Sequence, residues 1–206
     1  MTLKITSEEV KKGSLKEIFP EIYELKDVIE NNPWHNNEST FDHTISVMKA
    51  LEDEIAGDEK ISVIFGEKID NHTRKELFLL SVLFHDIAKK EAVTFSGGES
   101  SFPNHDNLGH QKVLPILARI GLSAKESGFV SDIIKNHNYF HKSFDNKDAD
   151  CKEINREFKK QHPNIYFETL LLSMADTKTS FLQVTKENEY KMRMNFYNKS
   201  LGEALI

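Results

Sequence analysis

From Leu77 to Ala88 the chain reads Leu-Phe-Leu-Leu-Ser-Val-Leu-Phe-His-Asp-Ile-Ala, and Lys89-Lys90 follow. The run is long enough for a helix and apolar on every face of one, and such a helix has to be buried. The fold must therefore wrap other elements around it. At its end a histidine and an aspartate stand side by side. A carboxylate carried on a buried helix is costly to desolvate unless a cation or several donors compensate it. A divalent metal at the rim of a core would meet that need. Taken alone, the dipeptide more simply marks a helix end emerging into water, so the rest of the chain has to decide.

Helical signals dominate elsewhere, and an all-α fold is expected. Ile18, Ile22, Leu25 and Ile29 suggest an amphipathic opening helix closed by Pro33. Ser39 or Thr40 is placed to cap a second helix with Phe41, Ile45, Met48 and Ile55 along one side. Between Gly57 and His72, the stretch Ile61 to Phe65 fits a helix or a short strand. The buried helix should run from about Arg74 to Lys89, and Glu91 to Pro103, with Gly97-Gly98, reads as an exposed connection. A helix from about Asp106 to Ile120 would turn Leu114, Leu117 and Ile120 inward, with Pro115 kinking or breaking it. Ser123 to Glu126 is a capping box opening the next helix. Polar residues around 141–162 look like an insertion with one short helix, Phe167 to about Phe181 is a strongly apolar helix, and Lys186 to Ser200 is expected on the surface. No repeat or linker divides residues 1–206, so one domain is the simplest organisation.

The 206 residues suffice for one substantial core, and 38% hydrophobic and 29% charged residues are ordinary proportions for a globular chain. The formal charge of −6 speaks against an extended nucleic-acid surface. It does not speak against a small phosphorylated substrate, because bound cations invert the local field. No apolar run approaches the ~20 residues that span a bilayer. The stretch from Met1 to Glu9 lacks a signal-peptide core, and the single cysteine, Cys151, cannot form an intrachain disulfide. A cytoplasmic protein without a membrane partner is the expectation.

Ligand-type residues recur amid apolar neighbours on four of the expected helices: His43, the pair His85-Asp86, His137 and Asp176. Helical bundles build metal sites from such inward-facing side chains. Lys89 lies four residues after His85 and three after Asp86, on the same side of a helix. Its ammonium could bind a phosphate held by the metal, against the plainer reading of a solvated lysine.

The ordered set, His43 in Phe41-Asp42-His43-Thr44, His85-Asp86 in Phe84-His85-Asp86-Ile87-Ala88-Lys89, and Asp176 in Met174-Ala175-Asp176, resembles the HD superfamily of metal-dependent phosphohydrolases. The likeness is nearest to the HD domain behind the nucleotidyltransferase part of bacterial CCA-adding enzymes. It reaches from about Phe41 to Asp176 and includes Phe102 to Gly109 and Ile133 to His137. Nothing upstream is long enough for that nucleotidyltransferase, so a stand-alone HD domain is expected. The resemblance implies an HD-type helical bundle, with His43, His85, Asp86 and Asp176 holding one ion. It also implies a possible second ion between Asp86, His105 and His137. His110 competes with His105 but fits the pattern less well. His35, His72, His141 and His162 have polar or loop neighbours and read as structural or solvated, Asp106 as an N-cap, and Trp34 as a core residue or a pocket-mouth residue.

Imidazole-rich sites favour Mn²⁺, Fe²⁺, Co²⁺, Ni²⁺ or Zn²⁺, with Mg²⁺ better suited to all-oxygen shells. The expected activity is hydrolysis of nucleotide phosphate esters, as a phosphomonoesterase or 2′,3′-cyclic phosphodiesterase, by metal-activated water. Asp86 and Lys89 act at the reacting centre, and His105 and His137 serve as ligands or, with one ion, as leaving-group acids. A (p)ppGpp hydrolase is disfavoured because Lys89-Lys90-Glu91 replaces the acidic pair expected there. The alternatives are a di-iron oxygenase of the same family and a nucleotide-binding regulatory module without turnover.

Overall fold

The computed structural model describes residues 4–145 and 150–205; the start of the signal-peptide reading (Met1–Leu3) and the middle of the expected insertion lie outside the described residues. Helices carry the fold, and among the described residues the strands form only two-stranded antiparallel hairpins. Among those residues no helix is long and apolar enough to cross a membrane.

The opening segment is not the single amphipathic helix expected. Thr6 caps α1 (Ser7–Lys12), and the chain then enters α2 (Pro20–Tyr23) with Pro20 at its start, followed by a 3₁₀ turn (Glu24–Asp27). A proline biases the residue before it away from helical geometry, which separates α2 from what precedes. Ile22 and Leu25 are buried, but Ile29 is 46% exposed on β1 (Ile29–Asn32). Pro33 sits in the turn to β2 (His35–Ser39) and closes no helix.

The Ser39 hydroxyl then accepts from the Asp42 N–H and caps α3 (Thr40–Gly57), which buries Phe41, His43, Met48 and Ile55. The ambiguous Ile61–Phe65 stretch is helical, within α4 (Glu59–Gly66). After the short pair β3 (Lys68–Ile69) and β4 (His72–Thr73), a Thr73/Glu76 capping box opens α5 (Arg74–Phe84), and every residue from Leu77 to Phe84 is buried. This is the apolar segment, and α3, α4 and α8 (Ala124–Asn136) pack around it.

α5 ends at Phe84, not at Lys89. The chain tightens into i→i+3 turns, Ile87 N–H to Phe84 O and Lys89 N–H to Asp86 O, before α6 (Lys89–Ala92). The expected exposed connection is a hairpin, β5 (Thr94–Ser96) and β6 (Glu99–Ser101), turned by Gly97 and Gly98 at φ 59° and 88°. Two successive positive φ angles are what a tight hairpin turn requires. The hairpin docks on β1, where the Asn31 N–H donates to the Ser100 hydroxyl (2.8 Å).

α7 (His105–Arg119) runs through Pro115. Leu117 is buried as expected and Ile120 partly so, but Leu114, also expected inward, is 41% exposed, and Val113 and Ile116 complete the buried face. Gly109 lets α7 approach α8: a Cβ there would lie 3.2 Å from Ile134 Cγ2. The segment read as a polar insertion comprises α9 (Tyr139–Asp145) and α10 (Cys151–Gln161). Both are stitched to the core by the fully buried rings of Phe140 and Phe158, 5.0 Å apart. α11 (Tyr166–Thr179) is buried along almost its whole length. After α12 (Leu182–Thr185), α13 (Glu187–Ala204) packs on α11 and buries Arg193, Tyr197 and Leu201, so it is more than a surface helix.

Glu126 ties the β3–β4 turn to α8. Its carboxylate accepts the backbone N–H groups of Asn71, His72 and Ser123 at 2.8–2.9 Å. Glu126→Ala strands these donors and should cost at least about 1–3 kcal/mol in urea unfolding, the penalty of an unsatisfied buried group. Exposed Lys125→Ala should change stability by less than about 0.5 kcal/mol.

Candidate metal centre

Seven elements deliver polar side chains to one cavity of about 370 Å³. Asp86, Lys89, His105, His137 and Asp176 line it, together with Glu30, Trp34, His35, Asn138 and His141. His43 and His85 stand just behind, 0% and 1% exposed. The break after α5 matters here. On a continuous helix, consecutive side chains diverge by about 100°, but in the turn His85 Nε2 lies 3.0 Å from Asp86 Oδ2.

The ligand atoms of His43, His85 and Asp86 all lie within 4.8 Å of one another, as do those of Asp86, His105 and His137. Asp176 adjoins the first group through His43: its Oδ1 is 2.7 Å from His43 Nε2. Asp86 belongs to both groups through different oxygens. Oδ2 faces His85, while Oδ1 is 3.2 Å from His105 Nε2 and 3.6 Å from His137 Nε2. The structure thus brings His43, His85 and Asp86 together, and likewise Asp86, His105 and His137, while Asp176 stands beside His43 and His141.

The histidine tautomers favour a cation. The Nδ1 atoms of His85, His105 and His137 lie 2.7, 2.6 and 2.6 Å from the carbonyls of Val82, Phe102 and Ile134. A carbonyl only accepts, so each Nδ1 carries hydrogen and each neutral ring presents a lone pair at Nε2. Metal-ligating histidines are oriented in this way. His85 Nε2 is buried without a hydrogen-bond partner. The Nε2 atoms of His105 and His137 are 3.2 Å apart, and two facing lone pairs at that distance need a proton or a metal ion between them. Buried orphan nitrogens and carboxylates converging on them fit a divalent ion.

Several sequence readings change. His35 and His141 are site residues, not solvated ones. His141 Nε2 is 3.0 Å from Asp176 Oδ2, and His35 stands between Glu38 (Nδ1 to Oε1, 2.8 Å) and Glu30 (Nε2 to Oε2, 3.3 Å). Lys89 is buried, with its ammonium 2.8 Å from Glu30 Oε2 and 2.9 Å from Asp86 Oδ2. Asp106 is not the N-cap; Asn104 takes that position at φ 61°, and Asp106 pairs with Lys142. Trp34 lines the cavity, edge-on to His141 at 5.1 Å. His110 contacts the Ser131 carbonyl on α8, away from both groups. His72 pairs with Glu126, and His162 packs on Phe158, as structural residues do.

Burial alone would push the His43 imidazolium down, but the carboxylates of Asp176 and Glu38 override it and raise its pKa to about 10. Burial works against the Asp86 carboxylate too, yet His85 and Lys89 hold it well below the usual range. His137, dominated by burial, falls to about 4 and is neutral at physiological pH. Because the folded-state value of His43 lies above the ~6.5 of a free imidazole, its stabilisation is complete below that pH and is lost as pH rises through about 10. Chelator-treated protein should therefore melt at progressively lower temperature between about pH 7 and 10, and a divalent ion, which displaces that proton, should flatten the decline. His43→Gln should shrink the slope, leaving the part contributed by His85, whose pKa the Asp86 carboxylate also raises against burial. A pH-independent melting temperature in chelator contradicts this account.

No family model matches the chain, and no curated protein matches it either, so the residues themselves carry the functional reading.

Proposed function

We propose that this chain is a metal-dependent phosphohydrolase of the HD type, acting on phosphate esters of nucleotides as a phosphomonoesterase or 2′,3′-cyclic phosphodiesterase. The observation that carries the reading is the sharing of Asp86 between the two ligand groups, one oxygen toward His85 and the other toward His105 and His137. His43, His85, Asp86 and Asp176 would hold one ion, and Asp86, His105 and His137 a second. A bound ion supplies Lewis acidity and lowers the pKa of its water towards ~7.

The chain's own groups do the rest. An ammonium has three donors, and Lys89 commits two of them to Glu30 and Asp86, leaving one for a phosphoryl oxygen at the cavity it lines. Asn138 Nδ2 lies 2.9 Å from His105 Nε2, a hydrogen bond to the ring's one lone pair that an ion there would replace. Trp34 and Phe102 give the cavity apolar walls. A volume of about 370 Å³ falls at the lower end of the roughly 300–1,000 Å³ typical of small-molecule sites, suiting a mononucleotide better than a polymer.

Elemental analysis of the purified protein, followed by a screen of nucleoside monophosphates and cyclic phosphodiesters with added Mn²⁺, Co²⁺ and Ni²⁺, tests the reading. Asp86→Ala should lose the bound metal and at least about 100-fold in turnover, with helical circular dichroism unchanged. Hydrolysis by that variant at the parental rate ends the proposal. Iron content with oxygen consumption, and no hydrolysis, points instead to an oxygenase.

A further inference from the structure

Glu30 belongs to neither ligand group, yet it is 0% exposed and sits opposite Glu38 across the β1–β2 hairpin. Carboxylates facing each other across a ladder repel, and burial raises the cost further. The partners that answer Glu30 are specific. The Thr40 hydroxyl donates to Oε1 at 2.7 Å, and the Lys89 ammonium donates to Oε2 at 2.8 Å. That same ammonium is 2.9 Å from Asp86 Oδ2, the oxygen that faces His85. One buried cation is therefore divided almost evenly between a carboxylate aimed at the metal centre and one that is not.

We propose that Glu30 is a positioning residue of the metal centre: by taking a share of the Lys89 ammonium it leaves Asp86 Oδ2 able to ligate an ion beside His85. Without Glu30, the buried lysine has Asp86 as its remaining carboxylate partner and competes with the metal for the same oxygen. Glu30 thus acts on the metal through Lys89, and the inference rests on the metal reading above.

The test is a double-mutant cycle on Mn²⁺ affinity, measured by calorimetry at fixed pH on the whole chain. Glu30→Gln should weaken Mn²⁺ binding about tenfold when Lys89 is present and no more than about twofold in the Lys89→Met background, the larger figure being the low end of what outer-sphere partners contribute. Equal weakening in both backgrounds, or none with Lys89 present, overturns the proposal, because Glu30 would then act by bulk charge or not at all. If Glu30→Gln does not fold, Glu30→Asp keeps the charge but retracts it from Lys89, and unchanged affinity in that variant overturns the proposal equally. A parental protein that binds no Mn²⁺ is a different failure: it removes the metal reading itself, and this inference with it.

Discussion

The candidate site depends on keeping one carboxylate, Asp86, charged where almost none of it meets solvent. The residue is 2% exposed, just past the end of α5, in which every residue from Leu77 to Phe84 is buried. Burying an isolated ion costs several kcal/mol even after relaxation. The packing of Leu77 to Phe84 drives Asp86 inward, so compensation has to come from the turn that follows it and from elements later in the sequence. Lys89 comes from α6, His105 from the start of α7, and His137 from the end of α8. The tertiary arrangement of α5 to α8 can be read as the set of contacts that makes this one burial tolerable.

The histidines serve the backbone as well as the site. His85 and His137 are the C-cap residues of α5 and α8, and each ring pairs with a carbonyl three residues back. Carbonyls in the last turn of a helix lack the usual intrahelical partners, so the ring N–H that fixes the tautomer also serves an end-of-helix acceptor, the Val82 carbonyl otherwise meeting, among the described residues, only the His85 backbone N–H at 3.5 Å. His105 repeats the device with the Phe102 carbonyl just before α7. A ligand held this way is preorganised before any ion arrives, because rotating the ring exposes a buried carbonyl. The proposed ligand role and the structural role of these residues therefore make the same demand on each ring.

This arrangement also explains which parts could be read from the sequence. His43, His85, Asp86, His137 and Asp176 stand among apolar neighbours on helices, where a ligand-type residue is conspicuous. Glu30 and His35 have Asn31, Asn32, Asn36 and Asn37 beside them. They are buried by α3, α6 and the β5–β6 hairpin laid over them, not by any periodicity of their own strand. His141 lies four residues after His137, a spacing that would have flagged a shared face, but the polar stretch after it masked the signal. The end of α5 was misplaced because apolar periodicity does not distinguish a helical turn from the tighter turns that replace it at Phe84. Leu114 was misassigned because the buried stripe of α7 is set by its close approach to α8 at Gly109, a tertiary fact.

Charge balance carries the argument one step further, to the number of ions. Glu30, Glu38, Asp86 and Asp176 bring four carboxylates to the cavity and its walls, and Lys89 answers them with one ammonium. With neutral imidazoles the cluster is left with three negative charges. One divalent ion leaves a net charge of minus one, which would repel the phosphate ester the site is proposed to bind. Two such ions reverse the sign. In a medium of effective dielectric about 20, opposite unit charges 4 Å apart attract by roughly 4 kcal/mol, so the reversal decides whether a phosphate enters at all. On the proposed function, occupation of both groups that share Asp86 would supply that reversal.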